Sequence, residues 1–169
     1  MRTLIIHAHP VPESYNSALL ARFVAGLEDA EVHDIEIADL NAGDDPTVEQ
    51  LAQVELLAFV YPTWWGGFPA ILLEWVQRRI GPWIDGAETG PSPVRNVRQL
   101  VAVTTHGSDK FVNGAVQGEP GRQLLSRGIA QQCHRSVDVE WIALYALDKL
   151  EQTGRDEFLN EVHERAAAL

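Results

Sequence analysis

The stretch Thr3-Leu-Ile-Ile-His-Ala-His-Pro10, running through Val11-Pro-Glu13 into Ser14-Tyr-Asn-Ser-Ala-Leu-Leu20, decides how the rest of the chain is read. Thr3 to Ala8 is short and almost continuously apolar, as strands buried on both faces of a parallel sheet are. From Asn16 to Leu27 the period changes, and Leu19, Leu20, Phe23, Val24 and Leu27 fall on one stripe at helical spacing. A buried strand that leads through a polar, proline-bearing turn into an amphipathic helix opens a βαβ unit.

The alternation continues along the chain. Further strands are predicted at Val32 to Ala38, Glu55 to Tyr61, Gln99 to Thr105 and Arg135 to Leu144. Between them, Thr47 with Gln50 three residues on forms a capping box for a helix through Val54. Pro69 to Ile80 carries Ile71, Leu72, Trp75, Val76 and Arg79 at helical spacing, and Gly121 to Ala130 and Arg155 to Leu169 read as two more helices. Gly81 to Asn96, rich in glycine and proline, reads as a long surface loop. The expected fold is α/β: a three-layer, doubly wound, five-stranded parallel sheet of order 2-1-3-4-5, formed as one domain over residues 1–169. In that order ligands bind beyond the carboxyl ends of strands one and three, here His9 and Pro62.

With 169 residues, 46% of them hydrophobic and 22% charged, the chain has the composition of an ordinary soluble domain with a sizeable core. No apolar run reaches the ~20 residues of a membrane span, so no membrane insertion is expected. Met1-Arg2 leads straight into a strand without a small-residue cleavage signal, and a cytoplasmic setting is expected. Cys133 is the only cysteine, which excludes an internal disulfide and a cysteine-based zinc site. The net charge of -11 and the presence of only two lysines argue against a nucleic-acid partner. A phosphate site in such a chain has to rely on backbone N–H groups, hydroxyls and a helix N-terminus.

Three segments at strand ends carry the candidate chemistry. After strand one come His9, Pro10, Ser14, Tyr15, Asn16 and Ser17, where a helix N-terminus, hydroxyls and an imidazole suit an anion. Plain helix capping by Ser14 or Asn16 is the competing account. After strand three comes Tyr61-Pro-Thr-Trp-Trp-Gly-Gly-Phe-Pro-Ala70. Core packing is the ordinary fate of one tryptophan, but two adjacent ones are hard to bury together, and Gly66-Gly67 permits close backbone approach. That turn suits the edge and face of a flat ring. After strand four, Val103-Thr-Thr-His-Gly-Ser108 offers hydroxyls and N–H groups suited to negative charge, or forms an ordinary strand-to-loop turn. A phosphate at one end and a ring at the other point to a flavin. Neither a Walker-type loop nor the dinucleotide glycine fingerprint is present. No carboxylate accompanies His7 and His9 at a telling spacing, so no metal site is expected.

On these residues the chain resembles the quinone-reductase branch of the flavodoxin-like superfamily, nearest to the short bacterial members that accompany glutathione-gated potassium efflux systems. The matching pieces are Leu4-Ile-Ile-His-Ala-His-Pro10, Ser14-Tyr-Asn-Ser-Ala18, Tyr61-Pro-Thr-Trp-Trp-Gly66 with Pro69-Ala-Ile-Leu72 and Trp75, and Val103-Thr-Thr-His-Gly107. Together they cover nearly the whole chain in the family's order.

The resemblance implies a homodimeric NAD(P)H dehydrogenase of the quinone type. The cofactor phosphate is expected against His9, Ser14, Tyr15, Asn16, Ser17 and Ala18, and the ring against Pro62, Thr63, Trp64, Trp65 and Gly66. Thr104, Thr105, His106 and Gly107 are expected along its other edge. Hydride passes from NAD(P)H to the flavin and two electrons then pass to a quinone or similar flat acceptor. The chain stops soon after its fifth βα unit, which favours FMN and leaves FAD as the alternative. Two departures stand out. Where animal members place a tyrosine and a histidine as a proton relay, the nearest residues here are Phe111 and Glu119, taken as the catalytic candidates. His106 stands where glycine is usual. The alternative function is an ancillary regulatory subunit of an ion-efflux transporter, with that transporter as partner.

Overall fold

The computed structural model describes residues 1–169. Its main elements, in chain order, are β1 (Arg2–His7), α1 (Tyr15–Asp29), β2 (Asp34–Asp39), α2 (Val48–Leu51), β3 (Leu56–Pro62), α3 (Ala70–Arg79), α4 (Gly81–Ile84), β4 (Gln99–Thr105), α5 (Pro120–Gln123), β5 (Asp138–Leu144) and α6 (Gln152–Ala167). The five strands form one sheet in the order β2-β1-β3-β4-β5, with every pairing parallel. This is the doubly wound arrangement expected from the sequence.

Strand position explains strand composition. β3 is central and buried at every residue, which is why Leu56 to Tyr61 is unbroken apolar sequence. β2 and β5 are the edges, and their apolar residues alternate with Glu36, Asp138 and Glu140. Successive strand residues point to opposite faces and build two cores. On one face Leu4, Ile6, Leu57, Phe59 and Leu100 pack with Leu72, Trp75 and Val76 of α3. On the other, Ile5, Leu56, Ala58, Val60 and Val101 pack with Leu19, Phe23 and Leu27 of α1 and with Phe158, Val162 and Ala166 of α6. α1 packs closely on α6 at Gly26, where a Cβ would stand 2.3 Å from the carbonyl oxygen of His163. Only glycine allows that approach.

Four segments differ from the sequence expectation. Gly121 to Ala130 is helical but not one α-helix. It divides into α5, a π-helical turn at Leu124–Gly128 and a 3-10 turn at Ile129–Gln132. Its buried residues are Gly121, Leu125 and Ile129, each four apart. A spacing of four drifts off the core line of a 3.6-residue helix, and the wider π turn restores it. The helix after Thr47 is shorter than expected, ending at Leu51 despite the complete capping box between Thr47 and Gln50. The loop after α3 opens with the short helix α4, and the segment Val112–Val116 between β4 and α5 forms another π-helical turn.

Candidate functional site

β1 ends at His7, and the chain crosses to α1 over the carboxyl edge of the sheet. Ser14 caps α1: its Oγ accepts from the N–H of Ser17 at 3.1 Å. Capping is therefore observed, yet it does not use up the helix terminus. The first N–H groups of a helix have no intrahelical partner, and here they belong to Tyr15 and Asn16. Asn16 is buried. Its Nδ2 donates to Thr105 Oγ1 at 3.2 Å, tying α1 to the end of β4, while its Oδ1 is buried without a partner. The Tyr15 hydroxyl is committed elsewhere, donating to the Arg155 carbonyl at 2.7 Å. Burial pushes that phenol up to about 12 and keeps it protonated. His9 lies beyond the strand, and its Nδ1 accepts from the N–H of Val11 at 3.0 Å.

β3 ends on the same edge. Thr63 continues the ladder, its N–H donating to the Thr105 carbonyl at 2.8 Å. The chain then reverses in a tight hairpin, with Trp64 and Gly67 exchanging backbone bonds of 3.1 and 3.0 Å. The two central residues both have positive φ, 54° at Trp65 and 80° at Gly66, as a type I′ turn requires. Gly66 meets that demand freely. Trp65 does not, and its side chain stands wholly in solvent, with a relative exposure of 101%. The tryptophan pair is thus not core.

These two strand ends enclose a cleft of about 340 Å³ lined by His9, Ser14, Tyr15, Asn16, Pro62, Thr63, Trp64, Thr105, Gly107, Leu147 and Asp148. No lysine or arginine lines it. A second chamber of about 210 Å³ shares Thr63 and Gly107 with the cleft and adds Trp65, Gly66, His106, Ser108 and Gln117.

Behind the second chamber stands an aromatic pair. The His106 ring lies on that of Tyr145 with centroids 4.5 Å apart and planes 14° from parallel. Its Nε2 is 3.4 Å from Thr63 Oγ1, which is 2.9 Å from Thr104 Oγ1. Burial lowers the His106 imidazole to about 4, so it is neutral at ordinary pH. The Tyr145 hydroxyl donates to Glu119 Oε1 at 2.9 Å, and Arg122 donates to the other carboxylate oxygen at 3.1 Å.

Most of the expected residues meet at these two cavities, and five do not. Ser17 and Ala18 lie further along α1 and line neither cavity; the Ser17 side chain contacts Ser14 Oγ at 3.0 Å instead. Thr104 is buried beneath the site, where its hydroxyl contacts that of Thr63. Phe111 projects into solvent and lines neither cavity. Glu119 lines neither cavity and meets the second chamber only through its bond with Tyr145, which stacks on His106. Sequence reasoning missed Leu147, Asp148, Gln117 and Tyr145. The first two follow β5, whose end abuts β4 in this strand order, so the run after Leu144 was the available signal.

A family described as having a flavodoxin-like fold matches residues 1–168, and the chain belongs to it. No curated protein matches the chain in sequence. Among solved structures, Smu.1420 from Streptococcus mutans shares 21% identity at a TM-score of 0.81, covering 100% of both chains. The NAD(P)H:quinone oxidoreductase from Methanothermobacter marburgensis shares 22% identity at 0.78, over 99% of this chain and 94% of its own. An FMN-dependent NADH-azoreductase from Bacillus anthracis, solved with FMN, shares 14% at 0.76, over 99% and 98%. At these identities the likeness is one of fold.

Proposed function

We propose that this protein is a flavin-dependent oxidoreductase that uses NAD(P)H to reduce a quinone or a similar flat acceptor, with FMN as its flavin, and that it works as a homodimer. The observation that carries the reading is the convergence in one cleft of free helix N-terminal N–H groups and a Pro62-Thr63-Trp64 slot, at the switch point of the sheet.

The cleft fits such a cofactor on its own chemistry. An anion at the α1 terminus finds the N–H groups of Tyr15 and Asn16, the Ser14 side chain and His9, and needs no cation. The unpartnered Asn16 Oδ1 and the Asp148 carboxylate are acceptors suited to sugar-alcohol hydroxyls. Trp64 and Pro62 supply apolar surface for the ring, and Gly107 leaves its edge clear. A flavin held by these residues would supply two-electron chemistry between NAD(P)H and the acceptor. The protein's part is orientation: α1 and β3 hold the two ends of the slot, and Thr63 and Gly107 open it toward the second chamber.

Two structural relatives support this reading, one a quinone oxidoreductase and one an FMN-dependent azoreductase. The test is a visible spectrum after FMN loading and desalting, then after adding NADPH or NADH without oxygen. Retained flavin that bleaches, and recovers on adding a quinone, is expected. Retained flavin that neither nucleotide bleaches overturns the reductase reading. Failure to retain FMN or FAD overturns the flavin reading itself.

A further inference from the structure

We propose that Glu119 and Tyr145 form a clasp that positions the outer wall of the second chamber, so that Glu119 shapes the acceptor end of the site as a positioning residue and not as an acid.

The backbone carries the first part of the argument. Glu119 has φ 47° and ψ 56°, a left-handed conformation that costs any residue with a Cβ. Gly118 before it is left-handed as well, with φ 73°. These two residues turn the chain between the π-helical turn at Val112–Val116 and α5. Glycine would make this turn without strain at both positions, so the glutamate must be held by its side chain. That side chain is only 18% exposed, and both carboxylate oxygens are used, one by Tyr145 and one by Arg122.

What the clasp holds is the chamber. Two residues before Glu119, Gln117 lines the chamber, and its Oε1 accepts from the buried Asn113 at 3.1 Å. The Glu119 N–H donates to the Asn113 carbonyl at 3.0 Å, closing the loop on itself. Across the chamber, a Cβ on Gly66 would stand 3.1 Å from Gln117 Oε1, and the Gly121 N–H donates to the Gly66 carbonyl at 3.4 Å. At the other end of the clasp, Tyr145 backs the His106 ring. One carboxylate thereby fixes Gln117 on one side and His106 on the other.

An acid role requires a proton on the carboxyl. Burial alone would raise its pKa, but the hydrogen bonds from Tyr145 and Arg122 outweigh burial and hold it below the usual carboxylate range. Tyr145, raised by its own burial, keeps the hydroxyl hydrogen that it donates. The pair is therefore a charge-assisted bond from phenol to carboxylate.

The consequence for the acceptor rests on the reductase reading above; the clasp itself does not. The test compares the full-length wild type with Tyr145→Phe, Glu119→Ala and Glu119→Gln. Amide hydrogen exchange over residues 112–121 is expected to speed up about tenfold in the first two, and less in Glu119→Gln, whose amide oxygen still accepts from Tyr145. Amides of the central strands serve as the folding control. In FMN-loaded enzyme, the KM for a water-soluble benzoquinone is expected to rise about fivefold. The kcat and the rate of flavin bleaching by NAD(P)H stay within about twofold. Unchanged exchange in both Tyr145→Phe and Glu119→Ala overturns the clasp. So does a kcat that collapses in Glu119→Gln as fully as in Glu119→Ala, the mark of an acid. Faster exchange in the variants, when the wild type itself shows no flavin turnover, leaves the clasp standing and overturns the reductase reading instead.

Discussion

At the ends of β1 and β3 the cleft is floored by regular backbone, whereas the rim of the second chamber is held in conformations that most side chains avoid. Three of the four non-glycine residues with positive φ, Trp65, Glu119 and Ala146, lie around that chamber, and the fourth, Glu31, is in the turn before β2. The cleft is placed by paired strands and a capped helix, each packed on a core. The chamber is placed by a hairpin tip, a clasped loop and the turn after β5, where the Ala146 N–H donates to the Ser108 carbonyl at 2.9 Å. Strain at a functional rim persists only when surrounding bonds over-determine it. The contrast suits a site with one permanent occupant and one exchanging occupant: a rigid floor fixes the first, and an adjustable rim selects the second.

The floor depends on a contact far from either cavity. Gly26 lets α1 lie on α6, and α1 carries Ser14 and Asn16 to the cleft. A side chain at Gly26 meets backbone, the His163 carbonyl, which cannot swing aside. Gly26→Val is expected to destabilise the fold by about 3 kcal/mol, the upper end of ordinary overpacking. Denaturant unfolding checks the stability, and FMN retention by whatever remains folded checks the position of α1. Full stability in Gly26→Val shows that the helices can part without penalty, and the floor is then less rigid than the comparison holds.

The seam between floor and rim is His106, and it supplies an acid-sensitive element. Burial lowers its imidazole from 6.5 to about 4, so between those values the unfolded chain takes up a proton that the folded chain refuses. Its contribution to stability is complete above about pH 6.5 and is lost as pH falls toward 4. His7 and His33 are lowered by burial in the same direction, so wild type alone does not isolate His106. Comparing wild type with His106→Asn at pH 7 and pH 4.5 does. On acidification the wild type is expected to lose about 2 kcal/mol more than the variant. Equal losses mean that His106 is not held neutral by its surroundings.

The same contrast explains what was legible in the sequence. Leu4-Ile-Ile, the Leu19 to Leu27 stripe and the Leu56 to Tyr61 run each declare their element over a few neighbouring residues, and strand order then sets His9 and Pro62 side by side. The cleft follows from local pattern plus topology. Trp65-Gly66 and His106-Gly107-Ser108 mark one side of the chamber in the sequence, but nothing local announces the clasp that closes it. Glu119 and Tyr145 are 26 positions apart, and the carboxylate finds the phenol only because the β4–β5 crossover folds back over the site. A left-handed glutamate has no sequence signature, since its conformation is repaid by partners elsewhere. Gly121 to Ala130 misleads for a related reason: its core spacing of four suits π turns, while its composition reads as an ordinary helix.

Trp65 offers the finest test of the rim. It occupies the first central position of a type I′ turn, where asparagine before glycine is favoured, and its ring is covered by nothing in the chain. Trp65→Asn therefore relieves left-handed strain without uncovering any core. The fold is expected to gain about 1 kcal/mol, read from the denaturation midpoint. The same variant is expected to retain FMN less firmly or to raise the KM of a benzoquinone several-fold, because Trp65 lines the second chamber. A gain in stability with a loss at the site means that the tryptophan is kept for what it touches in the working protein, a ring or a second subunit. A loss of stability means that it packs within its own chain, and the rim is then structural like the floor.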